Sequence, residues 1–78
     1  MKFSKNKLKE ELLRESKVLG IQLGAAELLA DRVVTEVEKW AKKRTMITEA
    51  DLNRVVAREV KKYNVDLAYV YQNRGKII

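Results

Sequence analysis

The sequence predicts a mainly α-helical fold: a compact domain of four helices, with at most a minimal extended pair, in a single unit over residues 1–78. Apolar residues recur at intervals of three and four in long stretches, as on helices with one buried face. Residue types that cap helices precede these stretches, and glycines separate the first from the second. A chain of 78 residues is close to the size at which one core just suffices.

The first helix is predicted over about residues 5–17. Ser4 is expected to be its N-cap, because its hydroxyl can accept a hydrogen bond from a free backbone amide, and Leu8, Leu12 and Leu13 follow on one face. Lysines in its first turns face the positive end of the helix dipole, which costs roughly 0.3 kcal/mol or more each. We therefore expect these lysines to serve something other than the stability of their own helix.

The second helix is predicted over about residues 25–43 and is the most strongly patterned. Gly20 and Gly24 precede it and indicate a turn, because glycine weakens helix interiors and adopts special backbone angles. The apolar positions of the second helix are Ala26, Leu29, Ala30, Val33, Val37, Trp40 and Ala41. They recur at three and four, so this face is expected to line the core.

The third helix is predicted over about residues 49–62. Thr48 is expected to cap it, with Asp51 three residues later as a carboxylate variant of the capping box. The segment 45–47 before it is too short for a free strand, so we expect it to pair with another extended segment. The candidate partners are residues 1–3 and 76–78.

A short fourth helix is predicted around Leu67, Ala68, Val70 and Tyr71. Asn64 is assigned to the C-terminal end of the third helix, Asp66 is expected to cap the fourth, and Gly75 is expected to stop it. Because Tyr69 and Tyr71 lie about 200° apart on a helix, we expect one of them to pack inside and the other to face outward.

The composition argues against most enzymes and metal proteins. The chain has no cysteine and no histidine, so it lacks disulfides, thiol chemistry and the commonest zinc ligand. We therefore expect a non-enzymatic protein without a metal site. No apolar run approaches the roughly 20 residues of a membrane span, and the first residues lack the apolar core of a signal peptide, so a soluble cytoplasmic protein is expected.

Positive charge points to anionic partners. Seventeen lysines and arginines oppose eleven acidic residues, a formal charge of +6, which attracts nucleotides, nucleic acid or acidic surfaces. Lysines 2, 5, 7 and 9 precede the first acidic residue, and residues 42–44 form a basic triplet. A further basic stripe on the third helix comprises Arg54, Arg58, Lys61 and Lys62; it either tracks a phosphate backbone or is a solvated face.

Glu59 is the one carboxylate predicted to lie toward the core. At 100° per residue it falls within the apolar arc of the third helix, and a buried carboxylate needs a cation or several donors. The N-terminal lysines and Arg74 are the candidate partners. A structural ion pair is favoured over a role in ligand binding.

Three segments in order carry a family resemblance. Residues 3–8 (Phe-Ser-Lys-Asn-Lys-Leu), 47–52 (Ile-Thr-Glu-Ala-Asp-Leu) and 68–74 (Ala-Tyr-Val-Tyr-Gln-Asn-Arg) flank a long middle helix. Together they resemble the helix-opening and closing motifs of ATP-cone domains, small regulatory modules that bind nucleotides. The likeness covers about residues 3–74. It implies an ATP-cone-like helical fold and a regulatory role with ATP or dATP as ligand.

The resemblance also assigns residues. Lys7 matches the lysine that opens the first helix in the family and contacts phosphate in many members. Lys2 and Lys5 are expected to add positive charge, and Arg74 to close the site from the last helix. The glycine hairpin that covers the triphosphate in the family has no counterpart among these residues, so the resemblance implies weaker nucleotide binding than in a complete module.

A second resemblance favours nucleic acid. The run 41–52 looks like the connection of the histone fold, in which a basic residue and a threonine precede the last helix and contact DNA phosphates. It implies a basic, dimeric nucleic-acid-binding protein that uses Lys42, Lys43, Arg44 and Thr45, to which Arg54 and Arg58 of the basic stripe are added. A third hypothesis is an interaction module that has lost its ligand and binds a regulated partner protein.

Overall fold

A computed structural model describes residues 3–73, and over that range it contains four α-helices and no strand. They are α1 (Lys5–Val18), α2 (Leu23–Lys42), α3 (Glu49–Lys61) and α4 (Val65–Asn73). The prediction of a compact, mainly helical domain is confirmed. Segment 45–47 lies in the α2–α3 connection rather than in a strand, and most of the extended partners suggested for it fall outside the described residues.

The turn between α1 and α2 is a Schellman motif centred on Gly20. Gly20 has φ of 76°, the left-handed region that glycine adopts without strain. The amide of Ile21 donates to the carbonyl of Ser16 at 3.0 Å, and the amide of Gly20 donates to that of Lys17 at 3.1 Å. Gly20 alone therefore reverses the chain, which lets α2 begin at Leu23. The prediction that the turn extends to Gly24 was wrong.

The N-terminal caps of α1 and α3 are those that the sequence predicts. The Ser4 hydroxyl accepts from the amide of Lys7 at 3.3 Å, and the Thr48 hydroxyl accepts from that of Asp51 at 3.1 Å. Each cap satisfies one of the amides that a helix start leaves free, which is worth about 1 kcal/mol. The chain around each cap is thereby fixed where α1 and α3 begin.

The cap of α4 differs from the prediction. Asn64 Oδ1 accepts from the amide of Leu67 at 2.8 Å, so Asn64, and not Asp66, is the N-cap. The amide of Asn64 also donates to the carbonyl of Val60 at 2.9 Å. Asn64 thus ends one helix and starts the next, and Asp66 lies in the first turn of α4, where its carboxylate faces the positive end of the helix dipole.

α1 and α2 pack antiparallel. Lys5 Nζ lies 3.1 Å from Glu38 Oε2 and Lys9 Nζ lies 2.8 Å from Asp31 Oδ1, so positions rise along α1 as they fall along α2. The pKa of Lys9 is raised, chiefly by its hydrogen bond to Asp31 and then by the charge of that carboxylate. These exposed pairs add little stability, but they explain what lysines do in the first turns of α1: two of them neutralise carboxylates on α2.

The antiparallel order gives the molecule two distinct ends. At the basic end, defined as residues 3–7 and 42–48, the start of α1 meets the α2–α3 connection. At the apolar end, defined as residues 13–32 and 61–65, the α1–α2 turn meets the end of α3. α2 joins them, and its 20 residues correspond to about 30 Å. α4 packs back against α3 and also contacts α1.

The core lies between the four helices and follows the predicted stripes. Its fully buried members are Leu12, Ala30, Val33, Val37, Val56, Val60 and Leu67. Each buried aliphatic side chain of the size of valine or leucine stabilises the fold by about 1.5–3 kcal/mol. Tyr71 is 1% exposed whereas Tyr69 is 68% exposed, which confirms that the two tyrosines of α4 face opposite ways.

Ser16 is a polar residue within this core. Its side chain is fully buried, and its hydroxyl has no hydrogen-bond partner in the part of the chain that the structure describes. A buried hydroxyl without a partner costs about 1–3 kcal/mol. Ser16 is therefore a place where the core is less stable than an apolar side chain of similar size would make it.

Glu59 is buried as predicted, but its partners are not those predicted. It is 6% exposed. Lys62 Nζ lies 3.0 Å from its Oε1, and Arg58 Nε lies 3.4 Å from its Oε2. Two cations of its own helical segment therefore neutralise the carboxylate. Neutralising Glu59 requires no N-terminal lysine and no other described element. The other predicted partner, Arg74, lies outside the described residues.

We expect Lys62→Ala to lower the free energy of unfolding by about 1 kcal/mol, because it leaves the buried carboxylate of Glu59 with a single, longer contact. Lys61→Ala is the matched control, since Lys61 is the adjacent exposed lysine and makes no ion pair within residues 3–73. Urea denaturation followed by circular dichroism measures both. Equal effects of the two substitutions would show that the Glu59–Lys62 contact does not stabilise the fold.

Candidate functional site

A groove of about 350 Å³ opens at the basic end. Phe3 reaches it from just before α1, the last turns of α2 supply a second side, and the α2–α3 connection supplies a third. Its lining residues are Phe3, Glu38, Ala41, Lys42, Arg44, Thr45, Met46 and Ile47. Ligand pockets commonly have volumes of about 300–1,000 Å³, so the groove has room for a small molecule.

The groove combines an apolar wall with cations. Phe3 and Ile47 are half-buried against the core, and Met46 is 82% exposed. Lys42 and Arg44 are exposed and make no ion pair in the described part of the chain. Such a mixture suits a ligand with an apolar body and a negatively charged group.

One carboxylate lines the groove and is neutralised in place. Glu38 comes from α2, and its carboxylate would repel an anionic ligand. The 3.1 Å contact with Lys5 brings the positive charge of α1 against it. Lys5 therefore acts mainly on Glu38, and the cations left to attract an anion within the groove are Lys42 and Arg44.

Arg44 is held over an aromatic ring. Its guanidinium carbon lies 5.2 Å from the ring centroid of Trp40, within the range of a cation–π contact. Trp40 is half-buried against the core, and the amide of Arg44 donates to the carbonyl of Ala41 at 3.1 Å. Backbone and side chain thus both restrict Arg44 at the edge of the groove, which lowers the entropy that ordering it for a ligand would cost.

The structure brings together some of the predicted nucleotide-binding residues. Lys5 borders the groove through Glu38. Lys7 lies one helical turn from Ser4 and is exposed, without an ion pair in the described range, but it does not line the groove. Lys2 and Arg74 lie outside the described residues, so their predicted positions stay predictions.

The predicted nucleic-acid residues fall into two groups. Lys42, Lys43, Arg44 and Thr45 are contiguous and exposed at the basic end. On α3, by contrast, Arg54 Nη2 lies 2.7 Å from Asp51 Oδ1, and Arg58 contacts Glu59. Carboxylates from their own helix therefore partly neutralise the α3 stripe, which weakens its attraction for a phosphate backbone relative to the 42–44 triplet.

Sequence reasoning missed the apolar lining of the groove. The sequence pattern places Met46 in an extended segment, and Phe3 in an extended segment and a helix-opening motif, and it assigns neither to a binding site. The signal that could have identified Met46 is a large apolar residue in a short polar connection. Burial in the core does not explain an apolar residue at such a position. The place of Phe3 in the groove depends on the antiparallel packing of α1 on α2, which is not a local property.

Three further observations concern metal binding, membrane spans and likeness to known proteins. Within residues 3–73 no group of three or more acidic residues is placed to hold a metal ion. None of the four described helices has the length and apolar character required to cross a membrane. Comparisons of the chain with protein-family models, with curated proteins and with solved structures find no match.

Proposed function

We propose that the protein is a non-enzymatic regulatory module that binds a purine nucleotide, ATP or dATP, in the groove at the basic end. The observation that carries this proposal is the meeting of an apolar wall with two cations free of carboxylate partners in the described chain, Lys42 and Arg44, in one concavity of about 350 Å³. A nucleotide has both features, a flat base and a charged phosphate tail.

Lys42 and Arg44 bind the phosphates of the nucleotide in this proposal. A guanidinium presents a planar set of donors that matches phosphate oxygens, and a lysine acts as a mobile point charge beside it. Lys43 and Lys7 lie outside the groove lining and add to the positive potential around it. Because Lys5 is engaged by Glu38, its part is to remove a repulsive charge.

The base of the nucleotide packs against the apolar wall of the groove. Phe3 offers an aromatic face, and Met46 offers a flexible thioether that adapts to a planar ring. Stacking against such side chains is tolerant of base identity, so the wall supports binding of a nucleotide without selecting adenine. Thr45 lines the same groove and carries a hydroxyl able to donate or accept a hydrogen bond.

Nucleic-acid binding is the second candidate, and the contiguous triplet Lys42, Lys43 and Arg44 favours it. All three are exposed, and none pairs with a carboxylate among residues 3–73. A polymer would use their outward-facing charge, together with what remains of the charge of Arg54 and Arg58. An apolar groove is not needed for contacts to a phosphate backbone, and for that reason the mononucleotide is preferred.

We expect millimolar ATP and dATP to raise the melting temperature of the protein by several degrees. Ligand at ten times its Kd stabilises by about 1.4 kcal/mol, and one kcal/mol corresponds to roughly 4–8 °C in a domain of this size. Lys42→Gln should weaken the binding about tenfold through loss of a charged contact. Lys61→Gln is the matched control, because Lys42 and Lys61 are the last residues of α2 and α3 and both are exposed.

The nucleotide proposal fails if neither ATP nor dATP changes the melting temperature. It also fails if Lys42→Gln and Lys61→Gln reduce the shift equally, since the effect would then reflect overall charge and not the groove. Isothermal titration calorimetry on the same variants separates affinity from any change in the stability of the free protein.

Salt separates the two candidates. We expect duplex DNA to be retained only at low ionic strength, and the nucleotide-induced shift to persist at about 200 mM salt, because backbone binding falls steeply over this range. The measurement is fluorescence anisotropy of a labelled duplex, with Lys43→Gln as the test variant and Lys17→Gln as the control, because Lys17 is exposed and lies outside the predicted nucleic-acid residues. Strong DNA binding at about 200 mM salt that Lys43→Gln abolishes, combined with no response to ATP, would make nucleic acid the ligand.

A further inference from the structure

The apolar end carries two adjoining grooves that the nucleotide proposal does not use. One has a volume of about 400 Å³, with Leu28, Leu29 and Tyr63 among its lining residues. The other has a volume of about 460 Å³, with Leu13 and Leu23 among its lining residues. Ile21, held in place by the Schellman turn, lines both, so the two grooves adjoin at this residue.

Two large apolar side chains of this surface are exposed to solvent. Leu23 is 68% exposed and Leu28 is 56% exposed, and both lie off the apolar stripe by which α2 packs against the core. Covering apolar area gains about 25 cal/mol per Å². Scattered exposed apolar residues are ordinary, but a contiguous concave set rimmed by charge is typical of a binding surface.

The charges along both grooves are positive. Arg32 is the only charged residue that lines the first, and Arg14 and Lys17 are the only charged residues that line the second. None of the three forms an ion pair within residues 3–73. The carboxylates beside Arg32, on Asp31 and Glu36, are engaged by Lys9 and Lys39. The surface therefore offers apolar walls with unmatched cations.

We propose that the apolar end docks an acidic amphipathic helix of a partner protein. The two apolar grooves, which meet at Ile21, suit the i, i+3, i+4 and i+7 apolar side chains of such a helix. Its carboxylates match Arg14, Lys17 and Arg32, which supply orientation and speed the encounter. On α2, Leu28 of this site and Lys42 of the nucleotide groove are 14 residues apart, about 21 Å along the helix, so both ligands bind at once and neither proposal depends on the other.

The same charges argue against a second copy of this chain as the occupant. Two copies related by a two-fold axis through this surface would bring the unmatched cations of one against those of the other, and each chain already carries a charge of +6. A flat lipid surface does not fit into either concave groove. An acidic helix satisfies the apolar walls and the cations together.

The test uses a synthetic helical peptide of about 18 residues, with leucine at i, i+3, i+4 and i+7 positions and glutamate at the solvent positions. Titration calorimetry with the full chain should give a Kd in the micromolar range. Leu28→Glu should weaken binding at least tenfold. Tyr69→Glu is the control, because Tyr69 is also an exposed apolar side chain, 68% against 56% for Leu28, and lines neither groove. Circular dichroism verifies that both variants are folded.

Charge is tested separately from apolar contact. Arg32→Glu should weaken the glutamate peptide and strengthen a peptide in which lysine replaces glutamate, a reversal that a purely structural effect of the substitution would not produce. A shuffled peptide of the same composition should not bind, because its leucines no longer share one face.

The proposal is overturned if the glutamate peptide does not bind at about millimolar concentration, or if the shuffled or lysine peptide binds the unaltered protein equally well. It is also overturned if analytical ultracentrifugation shows a dimer that Leu28→Glu dissociates, since the occupant would then be a second copy. Peptide binding that persists without any response to ATP would leave this proposal standing and refute only the nucleotide groove.

Discussion

The antiparallel packing of α1 on α2 is the constraint on which the rest of the structure depends. Leu8 and Leu12 are buried within the core that α2 lines with Val33 and Val37, and the Gly20 turn reverses the chain between the two helices. This packing sets Phe3 against the α2–α3 connection and Ile21 against the end of α3. Both concave surfaces therefore result from the same reversal.

The ion pairs form either between residues close in sequence or between α1 and α2. Glu59 is buried, yet its cations come from its own helical segment, so the carboxylate is neutralised without help from another element. Lys5 and Lys9 instead cross from α1 to α2. The cations left without carboxylates in the described residues lie at the two ends of the molecule, where Lys42 and Arg44 face one groove and Arg32 faces another.

The helices and two of their caps could be predicted from the sequence because they depend on local patterns: apolar spacing for α1 to α3, and a hydroxyl placed just before a helix at Ser4 and Thr48. The choice of Asn64 over Asp66 as the cap of α4 could not, since both residue types cap helices and only the path of the chain after α3 decides between them. The partners of Glu59 differ from those predicted because two cations within three residues of it along the chain, Arg58 and Lys62, reach its carboxylate. Of the described residues that line the candidate site, Phe3 alone comes from outside residues 38–47, and its place there depends on the packing of α1 on α2, which no local pattern specifies.

We propose that the start of α1 and the α2–α3 connection form one binding groove. The decisive experiment is a nuclear magnetic resonance titration of the 15N-labelled protein with ATP. We expect the amide signals of Phe3, Arg44, Thr45 and Met46 to shift together along a single binding curve, while those of Ile21 and Leu28 at the apolar end stay in place. Shifts confined to the apolar end or spread evenly over the exposed lysines would contradict it.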